Sequence, residues 1–178
     1  RMSYVGEPGW EITMKAENAA TIYMALVNAG ARPPGLYAQT SMRIEKGFCA
    51  MGHELDSDVS PVDTGLDFAT RKEGGFIGAE ALAERRKIKG SSSLISLKFQ
   101  DEKAVPLGHE PIYYDGDIIG QTSSCAFGYR IGKPVALGKV HNRPSSGTAV
   151  KVDIARQLFD ATLFTCPLFD AKAQRMKS

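Results

Sequence analysis

The feature that most constrains the fold is a change of hydrophobic period at a short polar segment, residues 89–93. Before this segment, apolar residues recur at helical spacing; after it, they alternate as they do in strands. The segment reads KGSSS, which is small, polar and typical of a linker. The chain has 178 residues, enough for one domain or two small ones. We therefore predict an α+β domain over residues 1–90 and an all-β sandwich or small barrel over residues 91–178.

The first half mixes predicted strands with predicted helices. Polar and apolar residues alternate over residues 10–14, which predicts a half-buried strand, and a second strand is predicted over residues 66–70. Apolar residues at helical spacing predict helices over residues 18–30 and 36–48. A short helix is predicted over residues 79–87, because its three final cations suit the carbonyl end of a helix.

The second half has the pattern of an all-β unit. Apolar residues alternate over residues 95–99 and again over residues 150–154. Asp115-Gly116 separates two further candidate strands, residues 111–114 and 117–120. Because both central residues of a tight hairpin turn need a positive φ, an Asp-Gly pair in this setting is a strong hairpin signal.

Charge and composition exclude several classes of protein. The net charge is +2, with 22 basic and 20 acidic residues, which is too balanced to predict a nucleic-acid partner. No apolar run approaches the ~20 residues of a membrane helix, so no membrane partner is expected. The cysteines lack zinc-site spacing and are predicted to be buried, reduced thiols: Cys49, Cys125 and Cys166. Their pattern favours a cytoplasm-like compartment.

The first candidate binding element is the loop that begins at Tyr4. Two glycines and a proline form a tight turn that leads into Trp10 and Glu11. A carboxylate here can accept two N–H donors from one planar ring, such as a pterin, and the aromatic side chains can cover its face. The alternative is a plain turn followed by an exposed glutamate.

The second candidate is Arg43, which lies off the apolar face of its predicted helix and is free to point at a cleft. Its planar guanidinium can bind a carboxylate of a ligand. The alternative is a salt bridge within the helix. No complete catalytic constellation is visible, since GxGxxG, P-loop and GxSxG motifs are all absent.

Metal binding by the acidic loop at residues 53–63 is disfavoured. A calcium loop needs Gly at its sixth position and Glu at its twelfth. Counted from Asp56, those positions hold Pro61 and Asp67.

Several ordered motifs resemble one family. Residues 3–12, SYVGEPGWEI, resemble the motif that opens the second half of the glycine-cleavage T-protein (aminomethyltransferase) fold. Residues 41–48, SMRIEKGF, resemble that family's Arg-containing helix. Further matches follow in order at residues 52–55, 60–66, 76–78, 120–124, 126–132 and 133–140. The resemblance covers nearly the whole chain and implies an α+β region followed by the small β-barrel that closes T-proteins.

Within the family, the motifs are more similar to the folate-binding module of dimethylglycine and sarcosine dehydrogenases. The segments EKGF, GHELDSD and GAEAL carry this similarity. Residues 38–40 read AQT where the T-protein itself usually has Ala-Arg-Asp. Met51 stands where the family tends to have an aromatic residue.

The resemblance implies binding of tetrahydrofolate, which receives a one-carbon unit and becomes methylenetetrahydrofolate. Carried over by position, Glu11 matches the carboxylate that grips the pterin, Tyr4 an aromatic of the pocket and Arg43 the arginine of the folate site. Trp10 and Met51 are candidates for the pocket wall. The family's catalytic Asp belongs to an N-terminal half that these residues lack, so no catalytic residue is predicted here.

We therefore expect the chain to be a C-terminal piece of a longer enzyme, inactive alone, whose partners are folate and the rest of the same protein. FAD is expected only in a separate domain of a dehydrogenase parent. Alternatives are an aminomethyltransferase parent, a non-catalytic folate-binding or scaffold module, and a demethylase of a sulfur or oxygen donor. The expected location is the cytoplasm, or the mitochondrial matrix for a eukaryotic source.

Overall fold

The computed structural model describes residues 3–88, 92–142 and 144–177. Residues 89–91 of the predicted linker therefore lie outside the described residues. The first half holds three helices, and a fourth follows the last strand; their bounds are Ala19–Asn28 (α1), Leu36–Glu45 (α2), Ala79–Lys87 (α3) and Gln174–Lys177 (α4). Two single turns of 3-10 helix are also present, at Ala16–Asn18 and Asp67–Ala69.

The second half is a closed six-stranded antiparallel barrel, as the resemblance implied. Its strands are Ser93–Phe99 (β1), Pro111–Tyr114 (β2), Asp117–Gly128 (β3), Lys133–Val140 (β4), Thr148–Ile154 (β5) and Gln157–Phe164 (β6). Their order around the barrel is β1-β4-β3-β2-β5-β6, and β1 closes it by pairing with both β4 and β6. Closure pairs the edge strands and leaves no long open edge.

The barrel encloses the main hydrophobic core. The alternating apolar residues predicted in β1 and β5 point inward, and the fully buried members include Leu97, Phe99 and Val152. The predicted hairpin between β2 and β3 is confirmed, with Asp115 at φ 51° and Gly116 at φ 90°. Positive φ at both positions matches the right-handed twist of the paired strands.

Helix α2 packs against the outside of the barrel. Ile44 joins Val135 and Leu137 of β4 in a second small cluster of fully buried residues. On the neighbouring strand, the pairing register shifts between Thr122 and Cys125. Such a bulge re-aims side chains locally. The two residues inside this interval carry hydroxyl groups that take part in the site described below.

Two strand predictions in the first half are wrong. Residues 10–14 are irregular and largely exposed, because no strand of the described residues pairs with them. Residues 66–70 contain a 3-10 turn instead of a strand, in which the Thr70 hydroxyl donates to the Asp67 carbonyl at 2.8 Å. The predicted helices are confirmed in place, although α2 ends at Glu45, three residues early.

Residues 10–39, which we call the uncovered segment, contain no buried residue. All of them are described, and none is buried, although α1 is largely apolar. Large side chains stand open to solvent in it: Trp10, Ile12, Tyr23, Met24, Leu26, Leu36 and Tyr37. An apolar helix is ordinarily covered by another element. None of the helices in the described part of the chain is both long enough and apolar enough to cross a bilayer.

Candidate functional site

Tyr4 lies on a partly exposed aromatic pair. Its ring stacks on Phe48, with 6.3 Å between ring centroids and an interplanar angle of 15°. Its hydroxyl donates to the carbonyl of Cys49 at 3.1 Å. The residue is 40% exposed, so one part of the aromatic pair is open to a ligand. These contacts fix the start of the N-terminal loop against the segment that follows α2.

Glu11 is exposed and makes no hydrogen bond or ion pair with any residue that the structure describes. Its neighbour Trp10 is 72% exposed, and Met51 is 75% exposed. The described contacts do not join Glu11 or Met51 to Tyr4. Glu11 therefore offers an unused acceptor at the surface.

Arg43 does not point at a cleft. Its side chain is buried and its guanidinium donates to the Glu54 carboxylate at 2.9 Å, to the Ser124 hydroxyl at 2.6 Å and to the Phe48 carbonyl at 3.2 Å. The helix rotation that takes Arg43 off the apolar face turns it toward the barrel, which covers it. A salt bridge within the helix is also wrong, because Glu54 belongs to the loop after α2. Through Phe48, Arg43 nonetheless supports the aromatic pair.

Glu54 is the buried counterpart of Arg43. It also accepts from the Ser123 hydroxyl at 2.6 Å and from the Ala50 amide at 3.0 Å. Burial raises the pKa of Glu54, but the hydrogen bonds from Ser123, Ser124 and Ala50 and the charge of Arg43 outweigh it and hold the pKa below its usual range. The carboxylate therefore stays charged and ties the loop after α2 to the bulge of β3.

A second ionic cluster joins α2, the N-terminal loop and the barrel. Arg130 bonds the fully buried carboxylate of Glu45 through its side chain and, at 2.7 Å, through its backbone amide. The same guanidinium donates to the Val5 carbonyl at 3.0 Å and to Glu7 at 3.1 Å. It also lies 3.8 Å from the centroid of the Phe169 ring, a cation–π contact.

Sequence reasoning missed most of these supporting residues. Glu54 was placed only in an acidic loop, and Ser123, Ser124 and Arg130 carried no motif of chemistry. Ser123 lies 69 residues from Glu54, Ser124 lies 81 residues from Arg43, and Arg130 lies 85 residues from Glu45. The available signal was that the resemblance included the segments that contain them, residues 52–55, 120–124 and 126–132.

Two of the three cysteines are partly buried, and the third is exposed. Burial raises the pKa of Cys49 to about 11 and that of Cys125 to about 12, with nearby glutamates adding to the effect. Cys166 is exposed, so the prediction that all three are buried is wrong; it sits beyond β6, outside the barrel core. Among the described residues, no group of three His, Cys, Asp or Glu side chains could hold a metal ion.

Comparison with known proteins places this chain in a family. The family model described as GCVT N-terminal domain matches residues 1–74, and the Glycine cleavage T-protein C-terminal barrel domain matches residues 93–170. Dimethylglycine dehydrogenase, mitochondrial, of Mus musculus is 33% identical over 94% of this chain and 20% of its own length. An aminomethyltransferase of Symbiobacterium thermophilum is 31% identical over 98% of this chain and 48% of its own length.

A solved structure agrees with these matches. The crystal structure of the glycine cleavage system aminomethyltransferase T from Bartonella henselae matches with a TM-score of 0.77 and 26% identity, over 86% of this chain and 44% of that chain. The chain thus spans about a fifth to a half of the length of these relatives. The barrel, the helices before it and the sequence matches all show that this chain belongs to the glycine-cleavage T-protein family.

Proposed function

We propose that this chain is the folate-binding C-terminal part of a tetrahydrofolate-dependent one-carbon transfer enzyme of the dimethylglycine or sarcosine dehydrogenase type. The observation that carries the proposal is the unused carboxylate of Glu11, which follows a loop anchored on the stacked Tyr4–Phe48 pair. Such a carboxylate and such a ring are the groups that a pterin needs, one for its N–H edge and one for its face.

The residues present fit the folate in kind. Glu11 would accept the N–H donors of the pterin, and Tyr4 would contact its ring, with Trp10 and Met51 as walls. Arg43 keeps its place in the proposed site as a positioning residue, because its guanidinium is committed to Glu54, Ser124 and Phe48. When bound, tetrahydrofolate supplies the nitrogens that accept the one-carbon unit.

The dehydrogenase branch is supported by the similarity to dimethylglycine dehydrogenase. In that case FAD would be held by another domain of the whole protein. The second candidate is an aminomethyltransferase, which the Symbiobacterium and Bartonella proteins favour. Flavin absorbance of the purified whole protein separates the two: a bound flavin supports the first, and a flavin-free active transferase supports the second.

The uncovered segment supports the view that the site is completed elsewhere in the same protein. Residues 10–39 expose large apolar side chains and include both Trp10 and Glu11. We propose that a further part of the whole protein packs on this segment, closes the folate pocket and brings the catalytic Asp of the family. The 178-residue chain alone should then show no one-carbon transfer, and turnover by it would contradict this proposal.

The direct test is Glu11→Ala in the whole protein, measured as tetrahydrofolate affinity by titration calorimetry. Loss of the charged acceptor should weaken binding by about 1–3 kcal/mol. Glu17→Ala is the matched control, because Glu17 is another exposed carboxylate of the same segment without a partner among the described residues. Equal affinities of Glu11→Ala and wild type would refute the site.

A further inference from the structure

The loop that carries the proposed ligand residues is held from behind by a charged cluster. Glu7 accepts from Arg130 at 3.1 Å and from Arg175 at 2.8 Å. Both guanidinium groups lie over the ring of Phe169, at 3.8 Å and 5.5 Å from its centroid. We call Glu7, Arg130, Arg175 and Phe169 the Glu7 clasp.

The clasp acts on one short stretch of backbone. Arg130 also binds the Val5 carbonyl, so it holds residues on both sides of Gly6. Gly6 has a φ of 77°, and a Cβ there would lie 2.8 Å from the Lys46 side chain. The backbone is thus pressed against α2 on one side and bonded to the barrel on the other.

Beyond the clasp, burial falls sharply. Residues 10–39 are not buried, and they begin three residues after Glu7. The backbone of Trp10 and Glu11 is therefore close in sequence to the last residue that the clasp holds. Only Pro8 and Gly9 separate the clasp from Trp10. Proline restricts φ in this connection, so part of the constraint on Glu7 is passed along the chain.

Glu7 is one of two carboxylates that pair with the two arginines of the cluster. Arg130 and Arg175 carry two positive charges, and Glu7 and the fully buried Glu45 carry two negative ones. Arg130 and Glu7 are both largely shielded, with side chains 17% and 24% exposed. Removal of Glu7 takes one negative charge from this cluster next to the loop, where screening by water is incomplete.

We infer that the Glu7 clasp is a positioning device by which the C-terminal barrel sets the geometry of the Glu11 loop. In this view the barrel raises folate affinity although Arg130 and Arg175 touch no ligand atom. The inference rests on the proposed folate site for its consequence on binding, but its effect on the loop can be measured without any ligand.

The first experiment measures the loop itself. Trp10 is the only tryptophan of the 178-residue chain, so its fluorescence reports on this loop alone. Glu7→Ala should lower the residual anisotropy of Trp10 in time-resolved decay, because the loop gains motion on the nanosecond scale. Glu17→Ala, the matched control, should leave it unchanged. An unchanged anisotropy in Glu7→Ala would overturn the inference.

The second experiment measures binding in the whole protein. Glu7→Ala should raise the Kd and the KM for tetrahydrofolate by about three- to tenfold, with kcat changed far less. Arg175→Gln cuts one arm of the clasp at an exposed side chain and should raise both constants by a smaller factor. Arg175→Gln also provides the test of the clasp if the Glu7→Ala variant fails to fold. Arg175→Lys, which keeps the charge, should restore part of the affinity.

The outcomes separate the clasp from the proposed function. If Glu11→Ala weakens folate binding while Glu7→Ala and Arg175→Gln do not, the clasp is wrong and the folate site stands. If Glu11→Ala leaves folate affinity unchanged, the proposed folate site is wrong. The anisotropy of Trp10 then remains as the test of whether the clasp positions the loop. A fall in kcat by the same factor as the rise in KM would also contradict a positioning role.

Discussion

The barrel and the uncovered segment differ in how much of their apolar surface they bury. The barrel closes on itself, and its inward residues such as Leu97 and Phe99 are fully buried. The uncovered segment, residues 10–39, has comparable apolar side chains and buries none of them fully. The barrel therefore contains its own source of stability, whereas the described residues bury no side chain of the uncovered segment.

This contrast shows that apolar residues at helical spacing predict a helix but do not determine how stable that helix is. A helix of the length of α1, 10 residues, is marginal in water without tertiary packing. α2 has the same length, yet it is anchored on the barrel by Ile44, by the Glu45–Arg130 ion pair and by the bond from Arg43 to Ser124. The anchored helix carries Arg43, while the unanchored one begins at Ala19, eight residues after Glu11.

The largest expected effect is in the barrel core. Phe99→Ala should lower the free energy of unfolding by roughly 3–5 kcal/mol, because it leaves a cavity where the side chain is fully buried. Chemical denaturation of the 178-residue chain measures it. Phe68→Ala is the control, since Phe68 is 83% exposed and should change stability by less than about 0.5 kcal/mol. Equal losses in both variants would break the distinction between core and surface.

The next effect is at the junction of α2 and the barrel. Glu54→Ala leaves the Arg43 charge buried without its partner and should cost about 3 kcal/mol. A double variant, Glu54→Ala with Arg43→Met, removes both charges and should recover much of that loss. Denaturant midpoints decide the matter, and a double variant less stable than the single one would argue against a buried ionic link.

The same residue predicts a pH dependence. Since the pKa of Glu54 is lowered in the folded chain, its contribution is complete above the unfolded value of 4.5 and is lost as the pH falls through the lowered pKa. Glu54→Gln should therefore flatten the fall of stability below pH 4.5. A slope remains, because the pKa of Glu110 is lowered as well: burial raises it, but bonds from Thr122, Leu107 and Gly108 outweigh burial. Identical pH profiles would contradict the assignment.

A smaller effect is expected in the uncovered segment. Leu36→Ser combined with Tyr37→Ser should change the stability of the 178-residue chain by less than about 0.5 kcal/mol, because both side chains are almost fully exposed. In the whole protein, the same double substitution should lower the free energy of unfolding clearly more if another part covers the segment. Equal small effects in both would contradict the proposed cover.

The smallest effect concerns the thiols. Cys166 should react with a thiol reagent in the native chain, because it is exposed. Cys49 and Cys125 should react much more slowly, since both are partly buried and burial raises the pKa of each to about 11 and about 12. Cys166→Ser should abolish rapid native labelling with no measurable loss of stability. Rapid labelling of that variant would contradict the shielding of Cys49 and Cys125.

Local chemistry explains which elements could be predicted from sequence. The β2–β3 hairpin was predictable because Asp115-Gly116 fixes its turn within two residues. The irregular structure of residues 10–14 could not be predicted in this way. Alternation of polar and apolar residues indicates two faces of a strand, but it does not show whether a partner strand is present. Arg43 shows the same limit at the site: its residue type was informative, but its partner Ser124 lies 81 residues away on a bulge that no local pattern marks.

The bond between Glu7 and Arg175 joins residues 168 positions apart. A growing chain leaves the ribosome with its N-terminus first, so Glu7 emerges long before Arg175 has been added. The loop near Glu11 thus reaches its final arrangement only when synthesis of this region is finished. A nascent chain can form early helices, but the bond from Arg175 to Glu7 forms only after the C-terminal residues have been released; under the proposed function, folate binding has to wait for that step.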